Sequence, residues 1–96
     1  MVNPVPAKSV DEQYESAMNY FQAKNYDKAI GAFSNIIFNF PGSRFAADAQ
    51  YYLALSYFEK KDYDRAWQDV HKAEELGAKI NPKFLEDLKK ASGREK

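Results

Sequence analysis

An all-α fold is what this sequence predicts, and three observations predict it. Apolar residues recur three and four apart along most of the chain, and no stretch alternates with period two over strand length. Capping residues and breakers cut that pattern into five segments. A shift of 37 residues then lays one two-helix unit over another. The architecture expected is two stacked helix hairpins with a fifth helix covering the end.

The segments follow in order. Residues 1–9 carry Pro4 and Pro6 and are expected to form an extended linker or tail. Ser9-Val10-Asp11-Glu12 matches a capping box, in which the serine accepts an amide proton and the glutamate reaches back. Tyr14, Ala17, Met18 and Phe21 then recur at helical spacing to about Ala23. Asn25 is the expected cap of a second helix from Tyr26 to about Asn39, with Ala29, Ile30, Phe33, Ile36 and Ile37 facing inward. Phe40-Pro41-Gly42 stops it, because proline disfavours helix in the residue before it. Ser43 is expected to cap a longer third helix through about Lys60. Asp62 caps a fourth, Tyr63 to about Leu76, which Gly77 closes. Asn81-Pro82 opens a fifth, with proline at the first helical position. A single domain is expected over residues 10–91, divided into repeats at about 10–43 and 44–80 and a capping helix at 82–91. Residues 92–96 are a charged tail.

In the repeat, Ala17 overlays Ala54, Tyr20 overlays Tyr57 and Phe21 overlays Phe58. Tyr26, Asp27 and Ala29 overlay Tyr63, Asp64 and Ala66. The small pairs Ala17/Ala29 and Ala54/Ala66 let two helix backbones approach closely, with Tyr20 and Tyr57 expected to fill the space beside them. Phe33 adds to that packing set. Gln13 and Ser16 stand where a preceding repeat would press, so this edge is expected to face water and to begin the domain; further repeats or a second copy docking there is the alternative.

Composition narrows the function. The 96 residues carry 14 Lys+Arg and 14 Asp+Glu, so the formal net charge is zero. Nucleic-acid affinity rests on excess positive charge, so no nucleic-acid partner is expected. Cysteine is absent and His71 is the single histidine, which leaves no thiol chemistry and no imidazole cluster for a metal. Asp62 and Asp64 lack the glycine and glutamate of a calcium loop. Ser16, Ser34 and Ser56 have no base at readable spacing, so no catalytic residues, cofactor or metal are expected. Residues 1–10 carry no apolar core of a signal peptide, and no run of eighteen apolar residues implies membrane insertion. Trp67 and His71 share a helix face, which points to packing between rings.

The motifs Ala17, Tyr20, Tyr26-Asp27-Lys28-Ala29, Phe33 and Pro41, then Leu53-Ala54, Tyr57, Tyr63-Asp64-Arg65-Ala66 and Ala73, resemble the tetratricopeptide repeat family. The resemblance covers residues 10–77. Two departures stand out: Gln13 and Gln50 occupy the family's usual large-residue position, and the period of 37 exceeds the family's roughly 34. The extra turn is placed at Ser43–Ala46. That loop is similar to a bacterial cell-envelope subclass, of the TolA-binding periplasmic coordinator and outer-membrane assembly lipoprotein type.

The resemblance implies a right-handed superhelical stack and a non-catalytic adaptor that binds a peptide or helix in a concave groove. The implied groove positions are Tyr14, Met18 and Phe21 in the first repeat, and Asp48, Tyr51, Leu55 and Phe58 in the second. The i, i+4, i+7 spacing places each apolar trio on one helix face. The other reading of these residues is core, buried by the fifth helix. The family's carboxylate clamp needs Lys and Asn where this chain has Tyr14, Met18 and Tyr52, so a chaperone-tail adaptor is disfavoured. The partner expected is a protein or peptide, with a self-associating scaffold as alternative. The location implied is the bacterial periplasm or cell envelope, with the cytoplasm as alternative.

Overall fold

Five helices, and no strand among the described residues, make up the protein. The computed structural model describes residues 9–96, so almost all of the expected N-terminal linker lies outside the described residues. The helices are α1 (Val10–Gln22), α2 (Tyr26–Asn39), α3 (Ala46–Glu59), α4 (Tyr63–Glu75) and α5 (Pro82–Ser92). Each packs chiefly against its neighbours in sequence, which is the arrangement of a linear repeat stack.

Local chemistry sets the helix ends. The Glu12 amide donates to the Ser9 hydroxyl at 3.2 Å, and the Ser9 amide donates to the Glu12 carboxylate at 3.1 Å, closing the capping box. Asn81 caps α5 by accepting from the Lys83 amide at 2.8 Å, with Pro82 at the first helical position. At the far end of α5, Gly93 holds φ at 72°, a left-handed conformation that closes the helix cheaply only without a Cβ.

The turn inside each hairpin is built the same way twice. Lys24 and Lys61 both take left-handed φ values, 63° and 65°. The Asn25 amide reaches the Tyr20 carbonyl at 2.9 Å, and the Asp62 amide reaches Tyr57 at 2.9 Å. The Lys24 amide donates to Phe21 and the Lys61 amide to Phe58, which completes a Schellman motif in each case. Asn25 and Asp62 then act a second time as N-caps, accepting from the Lys28 and Arg65 amides at 3.3 Å each. One residue thereby ends one helix and starts the next, which fixes the hairpin angle.

The link between hairpins departs from expectation. The third helix begins at Ala46, not beside Ser43, and Phe45 at its cap position makes no side-chain cap bond. The Ser43 hydroxyl instead accepts from the Phe45 amide at 3.3 Å, two residues on, and the Ala46 amide donates to the Ser43 carbonyl at 3.1 Å. This local turn satisfies the serine before a helix can form, so the extra residues of the long repeat lie in a turn.

Two hydrophobic clusters stack along the chain. The first gathers Ala17, Ala29, Phe33, Ile36, Ala49 and Leu53. The second gathers Ala54, Ala66, Trp67, Val70, Phe84 and Leu88, so α5 is part of the core of the second hairpin. The four alanines at the helix contacts have no exposed surface. Tyr20 does not fill the space beside them. It is 37% exposed, with the Lys28 ammonium 5.7 Å from its ring centre, and Arg65 sits over Tyr57 at the same 5.7 Å. With alanine in both helices the backbones already close that space, so Tyr20 rides at the rim under a cation, while Tyr57 packs half-buried against both clusters.

The C-terminus is tied down as well. The Trp67 indole, 2% exposed, donates to the Ser92 hydroxyl at 3.0 Å, and its ring lies 5.7 Å from that of His71. Arg94 pairs with Asp64 at 2.8 Å. The segment expected to be a charged tail thus holds an ion pair back to the start of α4.

Candidate functional site

The first helices of the hairpins, α1 and α3, share a face crowded with rings. Tyr14 stacks on Phe45 at 4.5 Å between centroids, and meets Tyr52 edge-on at 6.5 Å. Phe21 meets Tyr52 edge-on at 5.1 Å and Tyr26 at 5.7 Å. Tyr52 lies 6.0 Å from Tyr51, which carries the chain of rings to Phe84 at 6.0 Å and on to Phe58 at 5.4 Å. Apart from the buried Phe84, every member of this chain is half-buried. Rings in such edge and offset contacts hold one another in place, so the surface they offer is pre-formed.

Residues at the groove positions fall into two groups. Tyr14, Met18 and Phe21 pack against the first cluster with α1's outer edge open. Tyr51, Leu55 and Phe58 pack against the second cluster under α5, and the Asn81 amide donates to the Tyr51 hydroxyl at 3.0 Å. Asp48 is exposed at the first turn of α3. The fifth helix therefore covers the second-repeat half of this face and leaves the first-repeat half uncovered. Burial, the Tyr52 hydroxyl and Asp48 together push the Tyr14 hydroxyl up to about 12. It stays protonated across the physiological range and offers a donor as well as an acceptor.

Three parts of this face stand outside the groove positions read from the sequence. Tyr52 overlays Glu15 in the repeat shift, so the comparison of halves gives it no weight. Phe45 belongs to a turn expected to be helix, and Phe84 to the capping helix, which only the core reading set over this face.

On the opposite side of α3, between α2 and α4, lies an open cleft of about 430 Å³. Its floor holds Leu53 and Tyr57, with Ile37 and Phe38 on the α2 side and Arg65 and Lys72 on the α4 side. Gln50 and Asp69 meet at its inner end, with the amide donating to the carboxylate at 2.7 Å. Both are buried, at 5% and 8% exposure. Burial is the main cause that pushes the Asp69 carboxyl up to about 6; Lys72, the Gln50 hydrogen bond and Arg65 oppose it, and Asp62 adds to it. A glutamine at this register is therefore at home between two repeats. Gln13, its counterpart, is half-buried. It lines a smaller hollow of about 150 Å³ with Ser16, Ala32 and Asn35, the residues that overlay Leu53, Asp69 and Lys72.

The arrangement offers surfaces for contact. Among the described residues no three His, Asp or Glu side chains converge as for a metal ion, and no buried polar side-chain atom lacks a partner. The Ser56 hydroxyl is buried and donates to the Tyr52 carbonyl at 2.7 Å, one turn back in its own helix. No described helix is long and apolar enough to cross a membrane.

Comparison with known proteins gives one family. The family model described as YfiO, outer membrane lipoprotein, matches residues 6–73, which takes in both hairpins up to the last turn of α4. No curated protein matches.

Proposed function

The chain belongs to the YfiO family of outer membrane lipoproteins, a bacterial cell-envelope family of helical repeats, and from that premise we propose that it is a non-catalytic adaptor. In this reading it holds an amphipathic helix or an extended apolar segment of a partner protein against the uncovered ring face of α1 and α3. Tyr14, Met18, Phe21 and Tyr52 are the contact residues. The observation that carries it is the continuous set of half-buried rings linking α1 to α3, Tyr14 to Tyr52 to Tyr51, in contact with one another yet open on one side. Tyrosine suits the task because it supplies contact area at low entropic cost, and methionine because its flexible thioether adapts to a partner's shape. Residues of the second repeat serve by holding α5, which forms one wall. The compartment that fits the family is the periplasm.

A photo-reactive residue at Met18 tests the reading in cells. It is expected to give a covalent adduct with an envelope protein, while the same residue at Lys90, on the outer side of α5, gives none. Met18→Lys, measured on the partner so identified, is expected to weaken capture about 30-fold, the scale of a contact hot spot. Equal adducts from positions 18 and 90 refute it. An adduct with a second copy of the chain, together with a sedimentation coefficient that grows with concentration, favours the self-associating scaffold instead.

A further inference from the structure

The cleft between α2 and α4 faces away from the ring surface, and the adaptor reading makes no use of it. Its shape follows from Gln50 and Asp69. Their hydrogen bond draws both side chains inward and leaves about 430 Å³ open above Leu53. Phe38 stands on its wall at 84% exposure. The opposite wall is cationic. Arg65 and Lys72 lie seven residues apart on α4, about 10 Å along the helix axis. Arg65 shares its charge with Asp62 at 3.4 Å, and Lys72 has no ion-pair partner among the described residues. Asp69, the acid of the cleft, is buried at 8% exposure and ionised above about pH 6, so it offsets part of that charge from beneath. The cleft therefore presents water with an apolar floor, one bare ring and two cationic side chains, over one buried carboxylate.

We propose that this cleft is a second docking site, for an extended acidic-apolar segment of a partner protein. Such a segment places one or two large apolar side chains on Phe38, Leu53 and Tyr57 and its carboxylates on Arg65 and Lys72. Two carboxylates three residues apart on a chain in the polyproline II conformation share one face and lie about 9 Å apart, which matches the two cations. The occupant is fixed by charge: a basic segment meets repulsion from Lys72, and a wholly apolar one leaves that ammonium to lose water without a partner.

The test is a titration of the isotope-labelled full chain with a blocked peptide, Gly-Asp-Leu-Phe-Asp-Gly, followed by amide chemical shifts. Saturable shifts are expected at Ile37, Phe38, Tyr57, Arg65 and Lys72, with Met18 and Tyr14 unmoved. Replacing both acids of the peptide by lysine, or Leu-Phe by Ala-Ala, is expected to weaken binding at least tenfold. Phe38→Ala, at an exposed position outside both core clusters, is expected to do the same. Lys72→Glu is expected to reverse the order of the acidic and basic peptides. Shifts confined to Met18 and Tyr52, equal binding of the lysine peptide, or no shift at millimolar peptide each overturn the proposal. The ring face stands or falls separately, since its residues report on their own amides.

Discussion

Asp69 shows how much one buried side chain can set. Its carboxyl is pushed up from 3.8 to about 6, chiefly because burial strips water from the charged form. Between about pH 4 and 6 the folded chain thus keeps a proton that the unfolded chain releases. The contribution of this group to stability is complete below its ordinary range and is lost as pH rises through about 6. Asp69→Asn keeps the shape and still accepts from Gln50, but never ionises. It is expected to stabilise the fold at pH 7.5 by on the order of 1 kcal/mol and to change little near pH 4. Urea titrations of both forms at the two pH values check this; equal differences at both would show that the carboxyl does not titrate with folding.

The helix hairpin is the scale at which the repeat is written. Its turn uses Lys24 or Lys61 in a left-handed conformation, where a Cβ is disfavoured and glycine is not. Lys61→Gly is therefore expected to stabilise the chain by about 0.5–1 kcal/mol, because the turn stays as it is and the strain goes. Denaturant midpoints would read the change, and a loss of stability would mean that the lysine stem contributes more by packing than the strain costs. The double use of Asn25 and Asp62 explains why the hairpins are so alike. Any residue there must both close one helix and cap the next, and a short side-chain acceptor meets both needs.

For the whole molecule, α5 decides which surfaces remain. Phe84 and Leu88 complete the second cluster, and Phe84 meets both Tyr51 and Phe58. Phe84→Ala is expected to cost about 3–5 kcal/mol, since it empties a contact between three elements. It is also expected to expose Tyr51 and Phe58, read as binding of a hydrophobic dye below the unfolding transition. An unchanged melting temperature would show that α5 is a lid and not part of the core. A linear stack spreads stability along its neighbours, so the loss should appear first in α4 and α5 by hydrogen exchange.

Much of this fold is legible in the sequence, and the site less so. Ser9, Asn25, Asp62 and Asn81 announce helix starts because capping is a matter of three or four adjacent residues. Ser43 misleads for the same reason: its hydroxyl has a nearer amide to accept from, and a competition between two local bonds is not visible in residue types. Asp69 falls on the inner face with Ala66 and Ala73, a signal that was available in the spacing and was hidden because its repeat counterpart is Ala32. Tyr51 and Phe58 carry the right spacing for a groove, yet spacing cannot say what lies opposite.

The sequence by itself determined the five helices, the caps at Ser9, Asn25, Asp62 and Asn81, the two-fold repetition and the ring-rich face of α1 and α3. Each of these depends on residues within a turn or two, or on one half of the chain matching the other. Tertiary structure alone decided that α5 covers the second half of that face, that Tyr20 stands at the rim, and that a cationic cleft opens where Gln50 and Asp69 turn inward. Those outcomes depend on which surfaces meet across a gap, and packing between distant residues leaves no period in the sequence.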